Sequence, residues 1–183
     1  MAKASTKTLD STVDPDECRI AGKGERLIAR HVSSDIVLAI HAPTAGFAAL
    51  MRFSSHDSRL DVVRATQNPW CCADTGTWLL LESAKSMGID LNDLSVFAVG
   101  GAVLPAPAGS ASAGQLNQAA LRNVLKGEGL HLKGEDLGGN VLRSLWFETD
   151  SGRIIVRTAA NRISSIDQLP DRGRNAAWRH RAS

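Results

Sequence analysis

The sequence lacks the signals that direct a protein into or through a membrane. Its longest apolar runs, such as residues 36–40 and 78–81, fall far short of the roughly 20 residues that a membrane-spanning helix needs. Residues 1–12 contain no apolar stretch of the kind that forms the centre of a secretory signal. We therefore expect no membrane insertion and a cytoplasmic location.

Residue types that bind metals are few and scattered. The three cysteines, Cys18, Cys71 and Cys72, include no CxxC spacing, and the five histidines follow neither HxxxH nor HExxH spacing. Such spacings are the usual sequence marks of zinc sites. We predict no metal and no cofactor. Because neighbouring cysteines rarely bridge each other, we also expect the thiols to be reduced.

The chain does contain enough apolar residues for one globular core. With 183 residues, of which 43% are apolar, it suits a single domain with extended ends. We predict a flexible, polar tail over residues 1–24, one domain over residues 25–169 and a basic tail over residues 170–183. The basic tail holds four arginines and one aspartate, a charge pattern that can bind nucleic acid or acidic proteins. A solvated end is the commoner role of such a tail, so we do not expect nucleic acid to be the main partner.

The first half of the predicted domain contains a hairpin and a helix. Residues 34–41 and 46–53 are apolar segments separated by a turn at residues 42–45, which predicts two antiparallel strands. Residues 73–87 repeat apolar side chains at helical spacing, with Asp74 or Thr75 as the predicted N-cap.

In the second half of the domain, the sequence predicts four strands and another helix. Residues 94–99 predict a buried strand that leads into Gly100 and Gly101. Asn117 is predicted to cap the second helix, which ends at one of the glycines that follow residue 126. Further strands are predicted over residues 130–133, 141–148 and 153–157, with a turn at residues 150–152.

Several short segments from residue 73 onward are more informative as a series than any one of them alone. They are Ala73-Asp74-Thr75, Gly100-Gly101, Leu121-Arg122-Asn123, Glu135 to Asn140, Arg143-Ser144 and Ser151-Gly152-Arg153. In order and spacing, this series resembles the CheD family, the bacterial chemoreceptor glutamine deamidases. The resemblance implies an α+β fold with a layered, β-sandwich-like core of mainly antiparallel strands and helices packed on one face.

Seven residues of these segments are candidates for binding, because they combine turn glycines with polar side chains. They are Asp74, Thr75, Gly100, Gly101, Gly138, Gly139 and Asn140. Paired glycines after a strand allow positive φ angles and the close approach of another segment, which serves a binding site and a tight core equally well. The sequence alone leaves both interpretations open.

The same resemblance implies a catalytic cysteine, a histidine that activates its thiol and a supporting threonine. In this sequence Asp35 falls at the place of the cysteine, Ala49 at that of the histidine and Ala29 at that of the threonine. No cysteine occurs between Cys18 and Cys71, so this region cannot supply the thiolate that attacks an amide. We therefore predict no catalytic residue here, and we expect the Asp35 carboxylate to repel acidic partners.

Two replacements for the missing nucleophile stay open. His31 could activate Ser34 in a bend of the chain, whereas His41 lies on the opposite face of the predicted strand from Ser34. Cys72 lies at the start of a predicted helix, whose N-terminus can lower a thiol pKa, and His56 could assist it. A structural role is the commoner one for such residues.

Three functions are therefore open, in order of preference. The first is a non-catalytic CheD-like protein that binds a chemoreceptor's cytoplasmic region, a CheC-like protein or another chemotaxis signalling partner. The second is an active glutamine deamidase or amidase with Cys72 or Ser34 as a relocated nucleophile. The third is the binding of nucleic acid or an acidic partner through the basic tail.

Overall fold

Two β-sheets and three helices make up the part of the chain that the computed structural model describes, residues 8–107 and 109–166. The helices are α1 (Val62–Gln67), α2 (Ala73–Ser86) and α3 (Ala113–Gly127). The strands are β1 (Leu9–Thr12), β2 (Glu17–Ala21), β3 (Glu25–Val32), β4 (Ile36–Ala42), β5 (Phe47–Phe53), β6 (Ser95–Gly100), β7 (Leu132–Leu137), β8 (Arg143–Glu148), β9 (Ile154–Thr158) and β10 (Ile163–Ser165). Among these residues, no helix is both long enough and apolar enough to cross a bilayer.

Each sheet has five strands. The first sheet has the order β1-β3-β8-β9-β10, and the second has the order β2-β5-β4-β6-β7. Neighbouring strands are antiparallel except in two pairs, β1 with β3 and β6 with β7, which are parallel. This arrangement confirms the predicted α+β fold with mainly antiparallel strands.

The second sheet separates two apolar layers. The side chains of Ile36, Leu38 and Ile40 on β4 pack in one cluster with residues of α2 and α3. The alternate residues Val37 and Ala39 pack in the other cluster, with residues of the first sheet. Because successive side chains of a strand point to opposite faces, one strand contributes to both layers. The helices therefore cover one face of a two-sheet core, as predicted.

The predicted hairpin at the centre of the second sheet is confirmed. Strands β4 and β5 pair without interruption, from Ile36 opposite Phe53 to Ala42 opposite Phe47. Gly46 ends the connecting turn with φ of 63°, a left-handed conformation that favours glycine. The register of this hairpin decides which side chains of β5 can meet those of β4.

The predicted flexible tail over residues 1–24 is wrong for the residues that the structure describes. Residues Leu9–Thr12 pair with β3, and Glu17–Ala21 pair with β5. Val13 is fully buried and Ala21 is nearly so, although most of their neighbours are exposed. Edge strands need only a few buried side chains, so a mainly polar composition concealed them. The predicted basic tail over residues 170–183 lies outside the described residues.

Both predicted helix caps are also corrected. Helix α3 begins at Ala113, because the Ser112 hydroxyl accepts a hydrogen bond from the backbone N–H of Gln115, and the Gln115 side-chain oxygen accepts one from the backbone N–H of Ser112. Asn117 therefore lies within the helix and is buried. Helix α2 has Cys72 at its N-cap with no side-chain cap bond.

His41 lies on β4 and joins the two sheets at one end of the layer between them. Its Nε2 atom lies 2.9 Å from the carbonyl oxygen of Thr149, and its ring meets Phe147 edge to face. A Cβ atom on Gly152 would come within 2.3 Å of the His41 ring, so only glycine fits this turn. Burial lowers the pKa of His41, and the hydrogen bond to Thr149 opposes that shift.

We predict that acid destabilises the fold through His41. Because its folded-state pKa lies below its ordinary value of about 6.5, the unfolded chain binds the proton first as the pH falls. The free energy of unfolding should therefore decrease as the pH falls below about 6.5. Urea unfolding at pH 7.5 and pH 5.5 measures this change. His41→Gln should reduce it, whereas the exposed control His131→Gln should not; equal changes in both variants would contradict the assignment.

Candidate functional site

Asp35 lies at the start of β4, at the opposite end of the layer between the sheets from His41. Its carboxylate accepts a hydrogen bond from Nε of Arg52 on β5, and the two groups form a buried ion pair. The side chains of Asp35 and Arg52 are only 12% and 7% exposed. The other carboxylate oxygen accepts the backbone N–H of Ser33 at 2.7 Å. Both oxygens of Asp35 are thus held by donors.

Arg52 also binds the first sheet. Its two terminal nitrogens donate to the carbonyl oxygens of Arg30, at 2.9 Å, and His31, at 3.4 Å. These carbonyls belong to an irregular stretch of β3, where the pairing with β8 shifts between Ala29 and Val32. His31 has φ of 53° there, which is uncommon outside glycine. A planar guanidinium with several donors can satisfy one carboxylate and two such carbonyls together.

The backbone around Asp35 is fixed by two other elements. Gly101 and Ala102, which follow β6, donate their N–H groups to the carbonyl oxygens of Asp35 and Ser33, both at 2.7 Å. The side-chain amide of Asn117 on α3 donates to the carbonyl oxygens of Ser34 at 2.9 Å and of Ser54 at 3.1 Å. The segment is therefore a rigid part of the fold, held at each of its three carbonyl groups.

Asn117 is the main positioning residue that the sequence did not reveal. Its position in the sequence suggested a helix cap, because asparagine is common there. Its burial on the face of α3 that meets β4 and β5 could be recognised only from the start of the helix at Ala113. An apolar residue at that position would leave the Ser34 and Ser54 carbonyls without this donor.

The structure does not bring Ala49 to Asp35. Ala49 packs in the cluster that faces the helices, whereas Ala48 and Leu50 face the first sheet, as Arg52 does. The side chain of β5 that reaches Asp35 is therefore that of Arg52. Ala29 on β3 packs between the sheets and so lies on the same side as Asp35.

The serine and histidine alternative gains no support from the geometry. His31 is exposed and donates its backbone N–H to Ser144, while the carbonyl of Ser34 accepts from Asn117. Within the part of the chain that the structure describes, no hydrogen bond joins the His31 ring to the Ser34 hydroxyl.

Cys72 lacks the lowered pKa of a catalytic thiol. Cys71 and Cys72 are both buried, and their Sγ atoms lie 3.0 Å apart. Burial raises the pKa of Cys72 to about 12. The start of α2 was expected to lower this pKa, but the effect of burial is larger. No hydrogen bond connects His56 to either cysteine within residues 8–107. A thiol that is protonated at neutral pH is a poor nucleophile.

The glycine pairs lie next to the Asp35 segment and mainly serve close packing. A Cβ atom on Gly100 would come within 2.3 Å of the Asp35 carbonyl oxygen. The N–H of Gly138 donates to the carbonyl oxygen of Gly100 at 2.9 Å, and Gly139 accepts from the N–H of Val103 at 2.6 Å. Asn140, which follows them, is exposed.

Asp74 and Thr75 stabilise a different part of the chain. Asp74 accepts the backbone N–H and the hydroxyl of Ser58, the latter at 2.6 Å, while the Thr75 hydroxyl donates to the Pro69 carbonyl at 2.8 Å. The seven predicted binding residues therefore fall into two groups. Among residues 8–107 and 109–166, no group of three or more histidine, cysteine or acidic side chains could hold a metal ion.

Comparison with known proteins gives one consistent result. A family model described as CheD chemotactic sensory transduction matches residues 54–158, a match that starts just after Arg52. A probable chemoreceptor glutamine deamidase CheD of Solibacter usitatus is 31% identical over 160 residues, which cover 87% of this chain and 95% of that protein. A probable chemoreceptor glutamine deamidase CheD 1 of Syntrophus aciditrophicus is 27% identical over 158 residues, covering 86% and 99%. The chemoreceptor glutamine deamidase CheD of Thermotoga maritima is 28% identical over 147 residues, covering 76% and 90%.

The buried ion pair should contribute to stability as a unit. Asp35→Asn or Arg52→Met leaves one buried charge without its partner, so we expect each to lower the free energy of unfolding by about 3–5 kcal/mol. The double variant should lose less free energy of unfolding than the sum of the losses in the two single variants, as measured by urea unfolding.

The matched control is the pair of Asp10 and Arg26, whose side chains are 46% and 37% exposed. Asp10→Asn and Arg26→Met should each change the free energy of unfolding far less than the variants at positions 35 and 52, because water screens an exposed pair. If the variants at positions 35 and 52 cost as little as these, the buried pair is not a structural requirement.

Proposed function

Because this chain belongs to the CheD family, we propose that it is a member without deamidase activity that binds a chemotaxis signalling partner in the cytoplasm. The partner that we favour is the cytoplasmic region of a chemoreceptor, since relatives are named as chemoreceptor glutamine deamidases. A CheC-like protein is the alternative. The observation that carries the proposal is the ion pair of Asp35 with Arg52, which places a paired carboxylate where the resemblance gives a catalytic cysteine.

A carboxylate held in this way is poorly suited to nucleophilic attack on an amide. One oxygen of Asp35 accepts from the Ser33 N–H and the other from the guanidinium of Arg52, so a nucleophilic attack by either oxygen would weaken one of these bonds. It is also a weaker nucleophile than a thiolate, and among the described residues no histidine is hydrogen-bonded to it. These contacts support a structural role for Asp35.

We propose further that Arg52, and not Ala49, stands where the resemblance gives a histidine. A histidine that activates a thiol must contact it. The side chain on β5 that contacts residue 35 belongs to Arg52, whereas Ala49 faces the helices. In this proposal, a thiol and imidazole pair has been replaced by a carboxylate and guanidinium pair.

The ion pair also changes the expected electrostatics of partner binding. An unpaired Asp35 would repel acidic surfaces, but Arg52 neutralises its charge. The expectation that Asp35 repels an acidic partner therefore loses its physical basis. The ion pair itself therefore presents no net charge to a partner.

The other two functions have less support. An active deamidase that uses Cys72 would need a thiolate, which burial disfavours. A deamidase that uses Ser34 would need a base in contact with the Ser34 hydroxyl, and the described residues supply none. Binding through residues 170–183 stays a prediction, and truncation at Pro170 combined with a salt titration would test it.

The decisive experiment measures ammonia release from the cytoplasmic fragment of a chemoreceptor. We expect no release by the natural protein, no change in Cys72→Ala, and retention of the receptor fragment by the natural protein in a pull-down. Release by the natural protein that is lost in Cys72→Ala would establish a relocated nucleophile and refute the proposal.

A second set of variants tests the assignment of Arg52. The variant D35C/R52H/A29T should gain ammonia release, because it places a thiol, an imidazole and a hydroxyl on the same side of the second sheet. The matched control D35C/A49H/A29T carries the same three groups with the imidazole on the opposite face, and it should stay inactive. Activity in the control alone would favour Ala49 as the histidine's counterpart.

A further inference from the structure

Cys71 and Cys72 place two thiols side by side. In a regular strand, adjacent side chains point to opposite faces. Here Cys71 ends a 3₁₀ turn, and Cys72 has the extended conformation of an N-cap, with φ of −119° and ψ of 142°. This change of backbone direction brings the two Sγ atoms to 3.0 Å. The sulfur atoms are close enough to bind one atom together.

The backbone of both cysteines is held from the strand side. The carbonyl oxygen of Cys71 accepts the N–H groups of Ser54 and Ser55, at 3.2 and 2.9 Å, and Ala73 donates to the Ser55 carbonyl at 2.8 Å. A pair of ligands that is ordered in advance loses little conformational entropy on binding. The geometry therefore favours a chelating ligand over two separate ones.

The cover over the thiols is slight. Ala65, Cys71 and Cys72 form a small cluster apart from the two main layers, and Ala65 is the only buried residue of the six-residue helix α1. A short helix with so few buried contacts opens locally at low cost. Ala65 also lines a cavity of about 300 Å³ together with Val62, Thr66 and Thr75. Neither cysteine lines this cavity, so its link to the thiols is Ala65, which clusters with both of them.

The number of protein ligands at this site limits the kind of atom that it can bind. Thiolates prefer soft metals and metalloids. Among the described residues there is no third histidine, cysteine or acidic side chain that would complete a metal site with these two. A trivalent arsenic atom that carries one organic group needs only two thiolates. We propose that Cys71 and Cys72 form a dithiol site for monosubstituted trivalent arsenicals.

The binding step is balanced without an oxidant. In its hydrated form the ligand is R–As(OH)₂, and it reacts with two thiols to give R–As(S–protein)₂ and two molecules of water. Two S–H bonds and two As–O bonds break, two As–S bonds and two O–H bonds form, and arsenic remains trivalent. Burial raises the pKa of Cys72 to about 12, so this thiol carries its proton at pH 7 before the ligand binds. The protons leave with the two hydroxyl groups.

Phenylarsine oxide is the probe for this site. The reduced natural protein should bind one equivalent, detected by intact mass spectrometry and released by ethane-1,2-dithiol. Affinity should fall at least tenfold in Cys71→Ser and in Cys72→Ser. It should be unchanged in the matched control Cys18→Ser, because Cys18 lies on β2 and has no neighbouring thiol in sequence. Unchanged binding in either of the first two variants would overturn the proposal.

A measurement on the natural sequence avoids dependence on the folding of the variants. The folded protein is first saturated with phenylarsine oxide, then unfolded in urea and alkylated with iodoacetamide. Only Cys18 should be modified, since the arsenical protects Cys71 and Cys72. Modification of all three cysteines, or binding only after unfolding, would show that the site does not exist in the folded chain. Neither result depends on the proposed role of Asp35 and Arg52.

Discussion

The ion pair of Asp35 and Arg52 is the contact on which this end of the molecule depends. It joins the central hairpin of the second sheet to the irregular stretch of β3 in the first, because Arg52 binds both the carboxylate and the Arg30 carbonyl. An arginine inside a sheet structure would be costly without such partners. The irregular stretch supplies carbonyl groups that a regular ladder would already have used. The ion pair and the irregularity therefore stabilise each other.

The same logic holds at the opposite end of β4. Along its inner face the strand carries Asp35, then Val37 and Ala39, then His41, so the centre is apolar and both ends are polar. His41 reaches Thr149 in the turn after β8, just as Arg52, the partner of Asp35, reaches the Arg30 carbonyl on β3. Hydrogen bonds at the two ends fix the relative position of the sheets, while the apolar centre supplies most of the burial. The candidate site is therefore one of two groups of polar contacts that lie at the ends of the apolar layer between the sheets.

Patterns of alternation and helical spacing predicted the elements that are buried on a regular face. Strands β4 and β5, helix α2 and the strands β8 and β9 follow such patterns and were predicted nearly at their observed bounds. The edge strands β1 and β2 and the short helix α1 have few buried residues, so their sequences resemble loops. Local composition cannot identify an element whose stability comes from its neighbours.

The site was predicted in part. Asp35 was singled out by resemblance, but its partner was not. A hairpin that pairs Ile36 with Phe53 fixes which residues of β5 share a face with Asp35: they are the even-numbered ones, including Arg52 and excluding Ala49. The predicted hairpin contained this information, since its turn limits the register. Asn117 was different, because its contact with Ser34 depends on where α3 begins.

The segments that carry the family resemblance contact the Asp35 segment mainly through the backbone. The segments that carry the resemblance, such as Gly100, Gly101 and Gly138, act mainly through backbone contacts and close packing. Those contacts do not require a nucleophile at position 35. What the fold requires there is a side chain that leaves no buried charge unpaired, and aspartate with arginine meets that requirement. Residues 35 and 52 are therefore constrained as a pair, so a change at one position favours a compensating change at the other, while the surrounding scaffold can remain the same.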